Sequence, residues 1–181
     1  MFFIVMEKID YSLSIKKIYS KALPATLFIL AFGTTVFKLL WHNLLSSLGS
    51  IWLHFYLFVP LLLALTLLHE TLHLFGFWFF GKTKRKDWHI GMKSATPYAH
   101  CSAPIQITAY RVSLIIPGLL LGIIPLLLAF CCGWPIVFIY AILMTTGALG
   151  DLFILLNIRK LAPNRLVKDH ASRPGCWLLI P

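Results

Sequence analysis

The chain has 181 residues, of which 59% are hydrophobic and only 12% charged, with a mean hydropathy of +0.84. That composition argues against an ordinary soluble globular domain and for a single polytopic membrane domain. The formal net charge of +10 does not indicate nucleic acid, because the basic residues cluster between apolar runs, where they act as topology signals and contacts for anionic lipid.

A bilayer-spanning helix needs about 20 mostly apolar residues. In chain order, four segments meet that length, at about residues 22–41, 51–80, 112–132 and 135–158. Lys38 can snorkel at the end of the first, and Pro60 can kink the long second one. The third contains Pro117 and Pro125. The expected fold is therefore all-α, a polytopic membrane protein of four transmembrane helices. No cleavable signal peptide is expected, since the first apolar run lacks a small-residue cleavage site. The four cysteines, Cys101, Cys131, Cys132 and Cys176, form no C-x-x-C pair and suggest neither a disulfide framework nor a thiolate zinc site.

Lys and Arg alternate across these segments. Residues 1–21 carry Lys8, Lys16, Lys17 and Lys21, whereas the link 42–50 carries none. The loop 81–111 carries Lys82, Lys84, Arg85, Lys86, Lys93 and Arg111, and the link around Gly133 none. The tail 159–181 carries Arg159, Lys160, Arg165, Lys168 and Arg173. The positive-inside rule then predicts a multi-pass protein of the cell membrane with both termini and the loop after the second helix in the cytoplasm. That loop reads GKTKRKDWHIGMKSATPYAHCSAPIQITAY over residues 81–110, and its Gly, Pro and β-prone residues suit a small hairpin or irregular sheet.

The second helix contains LLHETLH, residues 67–73. His69 and His73, four apart, stack on one helix face and can bind one metal ion. Glu70, next to the first ligand, can then serve as general base toward water at that metal, which is the H-E-x-x-H logic of zinc hydrolases. Zinc lowers the pKa of such water to about 7 and polarises a scissile carbonyl. By chance the pattern, with either acid in its second place, would occur in roughly one chain in a hundred of this composition. A blander reading, buried polar residues bonding between helices, must meet a cost of about 2.5–3.5 kcal/mol for each charged group at mid-bilayer.

Two histidines leave a tetrahedral site short of a ligand. Glu7, Asp10, Asp87 and Asp169 fall outside the predicted helices, so Glu70 and Asp151 are the only acids within them. His73 lies about 13 Å from the helix end near Lys82, and Asp151 about 12 Å from Arg159. The second and fourth helices run in the same direction, so Asp151 can meet the histidines at one level. Gly147, one turn earlier, is expected to allow close approach of the fourth helix. Of the other histidines, His89, His100 and His170 read as loop or tail residues, with His100 the reserve ligand. His42 and His54 belong to the opposite end.

The chain resembles the small bacterial membrane proteins grouped as zincin peptidases, a family otherwise described as a domain of unknown function. The resemblance spans about residues 57–175 and rests on LLHETLH, TPYAHCSAP in the loop, GALGDL in the last helix, and LVKDH followed by Pro174 and Gly175. More distantly it is similar to intramembrane metalloproteases of the site-2 type, which carry H-E-x-x-H in one membrane helix and an aspartate ligand in a later one. That similarity implies His69, His73 and Asp151 as ligands of one Zn2+ and Glu70 as base. It departs at Leu152, where the site-2 type has glycine, and in lacking a regulatory peptide-binding domain.

The expected function is a zinc-dependent peptidase acting on a membrane protein or peptide within or beside the bilayer, with Tyr98, His100 and Cys101 of the loop as candidate substrate contacts. An open strand edge in the loop would suit an extended substrate. The alternatives are a metal-binding transporter component, for which four helices without an inverted repeat are few, and an inactive zincin-like scaffold.

Overall fold

A computed structural model describes residues 7–42, 44, 49, 55–93 and 96–180. The chain is mostly helical. Its elements are β1 (Glu7–Asp10), α1 (Ile15–Leu40), α2 (Phe55–Phe79), a 3-10 turn (Arg85–Asp87), β2 (Trp88–Lys93), β3 (Thr96–Cys101), β4 (Pro104–Gln106), α3 (Ile107–Pro117), a π-helical segment (Gly118–Ile123), α4 (Ile124–Cys132), α5 (Pro135–Gly147), α6 (Leu149–Ile158), β5 (Leu166–Asp169) and β6 (Cys176–Ile180). Among the described residues, four helices are long and apolar enough to cross a membrane: Ile15–Leu40, Phe55–Phe79, Ile107–Cys132 and Pro135–Ile158. They mark the chain as a membrane protein. The expected helix start at 51 and the link 42–50 fall largely outside the described residues.

Apolarity alone misplaced two helix starts. α1 begins at Ile15 rather than 22, where the Ser14 hydroxyl accepts the Lys17 N–H as an N-cap. The third helix begins at Ile107 rather than 112, before Arg111. Both extensions carry basic side chains that a hydropathy window rejects, although their backbones complete the same helix. At the other end of α1, Phe37 is fully buried between Phe130 and Phe138, with ring centroids 5.7 and 4.3 Å away. This stack fixes α1 against the third and fourth helices.

Prolines shape the third helix. Pro125 has no N–H to give the carbonyl one turn back. The helix widens just before it, and the Ile124 N–H donates to Leu119 O, five residues back. The fourth helix starts at Pro135 and breaks at Ala148 (ψ −1°), so Asp151 falls in the first turn of α6. Backbone N–H groups at such a turn favour a carboxylate.

The expectation of an all-α fold is corrected by two antiparallel sheets. β2 and β3 form the hairpin expected in the loop. The second sheet has the order β1-β6-β5-β4 and joins both ends of the chain to the start of α3. Its strands run three to five residues, each too short for a period-2 pattern to stand out, and their pairing is long-range. Gly175 (φ +126°) allows the turn into β6 to lie against Tyr11 and Ser12, where a Cβ would come within 2.6 Å of Tyr11 O. Ile105, Val167 and Leu178 of this sheet bury against Leu74, Phe77, Tyr110, Leu114, Ile154 and Ile158. The sheet thus closes one end of α2, α3 and α6, the end that carries the polar cluster.

Candidate metal centre

α2 and α3 touch at Gly76, where a Cβ would lie 2.6 Å from Ser113 Cβ. Only glycine permits that contact, and one turn earlier it brings His73 beside α3. His73 Nδ1 lies 2.9 Å from Ser113 O. A carbonyl only accepts, so Nδ1 carries the hydrogen and Nε2 keeps its lone pair for another partner. The close approach expected at Gly147 is absent, since nothing lies within 4 Å of a Cβ built there. Close contacts of the fourth helix fall instead at Gly118, facing Ala148, and at Gly122, facing Thr145.

Asp151 meets the histidines. Its Oδ2 is 3.0 Å from His69 Nε2 and 3.5 Å from His73 Nε2, and all three side chains are mostly buried. The histidine rings stand edge to face at 4.9 Å. The end of α6 is capped by Arg111, whose Nη2 donates to the carbonyls of Ile158, Arg159 and Leu161.

Glu70 lies on the same turn, and the donor atoms of His69, Glu70 and His73 lie within 4.8 Å of one another. Its Oε2 accepts the Ala99 N–H at 2.7 Å. Glu70 is nine residues before the end of α2, about 14 Å at helical rise. The hairpin therefore doubles back along α2 to the level of the two histidines instead of standing clear of them.

Tyr98 lies over Gly91 across the hairpin and is half-exposed. His100 stands outside the cluster, with Nδ1 3.1 Å from Asp169 Oδ2 and its ring stacked on His89. Cys101 is buried in the core, and burial raises its thiol pKa. His170 stacks on Trp177. His42 ends the turn after α1, and His54 lies outside the described residues. Sequence reasoning missed the Ser113 carbonyl, the Ala99 amide, Tyr110 and Asp169. The first two are backbone groups that no residue type announces. Asp169 did leave a signal, in LVKDH.

The donor set fits a divalent metal. Two ligands about 2.1 Å from a tetrahedral zinc stand about 3.4 Å apart, close to both Asp151–histidine separations. Together, the apolar helices and this cluster describe a membrane protein with an H-E-x-x-H group that could hold a metal ion. A family profile described as "Putative zincin peptidase" matches residues 62–166, more than half of the chain, and the chain belongs to that family. No curated protein and no solved structure matches the chain.

Proposed function

We propose that this protein is a zinc-dependent peptidase that hydrolyses peptide bonds of membrane proteins or peptides within or beside the bilayer. The observation that carries the reading is Asp151 Oδ2 lying 3.0 and 3.5 Å from the Nε2 atoms of His69 and His73. His69, His73 and Asp151 would hold the ion, one per chain, and Glu70 is left for proton transfer. When bound, zinc supplies Lewis-acid polarisation of the scissile carbonyl and acidifies a water molecule. Glu70 takes the proton of the attacking water and delivers it to the leaving amine. The Ala99 N–H keeps the carboxylate turned toward β3, and the Ser113 carbonyl keeps Nε2 of His73 facing Asp151.

The Lys and Arg asymmetry supports a cytoplasmic location for both termini, the hairpin and the site opening. An extended substrate would pair with a strand edge. On the outer edge of β3, Pro97 has no N–H, Ala99 donates to Glu70 and Cys101 donates to Asp169. By the alternation of an antiparallel pair, Ile90 and Met92 of β2 direct their backbone groups the other way. Their side chains are 65% and 72% exposed. Among the described residues the β2 edge pairs with no other strand, and it would hold the segment that flanks the scissile bond.

The reading is tested by metal analysis of purified wild type and His69→Ala. Stoichiometric zinc in the wild type and its loss in the variant are expected. Equal metal in both would remove the centre, and with it the peptidase.

A further inference from the structure

Outside the H-E-x-x-H cluster, a second group of polar side chains surrounds Asp169 at the end of β5. Its carboxylate is mostly buried and accepts four hydrogen bonds. Oδ2 takes His100 Nδ1 at 3.1 Å and the Cys101 N–H at 3.2 Å. Oδ1 takes the Tyr110 hydroxyl at 3.0 Å and the His170 N–H at 3.1 Å, each shared with the Gly175 carbonyl. The mechanism above does not use this aspartate, which lies beyond the residues that the family profile matches.

Both arms of the network lead to the metal cluster. Along β3, the Cys101 N–H held by Asp169 and the Ala99 N–H held by Glu70 are successive donors on one strand edge. Fixing the first sets the position of the second, because the two lie about 7 Å apart on a single strand. Along α3, Tyr110 is bound to Asp169, and the Ser113 hydroxyl donates to the Tyr110 carbonyl. The Ser113 carbonyl then accepts from His73 Nδ1. One carboxylate thus anchors the strand that orients the base and the helical turn that orients a metal ligand.

We propose that Asp169 is a positioning residue for the site, acting through β3 on Glu70 and through Tyr110 on His73. The proposal rests on the peptidase reading for its purpose, but not for its geometry. It assigns the C-terminal segment a role in the centre as well as in the sheet.

Asp169→Asn keeps the shape but removes the charge and turns one acceptor oxygen into a donor, so it can no longer accept from all four partners at once. Tyr110→Phe cuts only the α3 arm and keeps the protein testable if Asp169→Asn fails to fold. Two readouts are used on detergent-solubilised full-length protein: amide exchange at Ala99 by NMR, and the visible absorption spectrum of the cobalt(II)-substituted protein. For Asp169→Asn, Ala99 exchange should accelerate roughly tenfold, the equivalent of one hydrogen bond, and the cobalt spectrum should shift. For Tyr110→Phe, the spectrum should shift with little change at Ala99. Arg173→Ala, which breaks the surface pair of Arg173 with Asp10, should change neither. Unchanged exchange and spectrum in a folded Asp169→Asn would overturn the proposal, as would an unchanged spectrum in Tyr110→Phe if Asp169→Asn does not fold. Should wild type bind no cobalt, the metal reading fails, and Ala99 exchange in Asp169→Asn decides the positioning role through β3.

Discussion

His73 and Ser113, on different helices, share a hydrogen bond of 2.9 Å from the ring Nδ1 to the backbone carbonyl. It selects the tautomer that offers Nε2 toward Asp151, and it exists because Gly76 lets α2 and α3 touch. Replacing Gly76 by alanine would force the helices apart by several tenths of an ångström or more. Gly76→Ala is therefore expected to weaken zinc binding by about 10- to 100-fold, the usual effect of losing a ligand's outer partner. Competition against a chelator of known affinity measures it. Unchanged affinity would mean that the carbonyl does not hold the ring.

Asp151→Ala should empty the site, since it removes the oxygen that both histidines face. Zinc per chain, measured on protein purified without chelator, gives the answer. Retained zinc would shift the third ligand to Glu70, whose carboxylate also lies within reach of the histidines.

Glu70→Gln should keep the metal and lose hydrolysis. Glutamine preserves the shape and can still accept from the Ala99 N–H, but it cannot take a proton. Loss of a general base typically costs about 10²–10⁴-fold in rate. Zinc content and cleavage of a membrane-embedded peptide are read on one sample, and cleavage at the wild-type rate would take Glu70 out of the mechanism.

Reporter fusions should place Lys93 in the cytoplasm and Ser47, which lies outside the described residues, on the opposite side. The motive is the clustering of Lys and Arg in the loop 81–111 against none in the link 42–50. The reverse orientation would move the site opening to the other face of the membrane.

Burial pushes the Cys176 thiol up to about 12, from an ordinary 9.0. Between those values the folded state keeps a proton that the unfolded state releases, so this group makes stability fall as pH rises from about 9 to about 12. The slope is at most about 1.4 kcal/mol per pH unit. Denaturation midpoints at pH 9, 10 and 11 should fall less steeply for Cys176→Ala than for wild type. Parallel slopes would contradict a buried thiol.

The sequence by itself determined the membrane class, the four helices and the histidine pair. Those features are local: a run of apolar residues must be long enough to span, and ligands four apart stack on one helix face whatever surrounds them. The meeting of Asp151 with the histidines was also legible, because acids within apolar runs are few and depth can be counted along a helix. Only the tertiary structure decided how the centre is oriented. The contact of Gly76 with Ser113, the Ala99 amide on Glu70 and the bonds of Asp169 to His100, Cys101 and Tyr110 join segments far apart in the chain. Two of these use backbone atoms that every residue carries, and the β1-β6-β5-β4 sheet unites strands from both ends of the chain. Such pairings depend on where the chain returns in space, which no local pattern of residue types encodes.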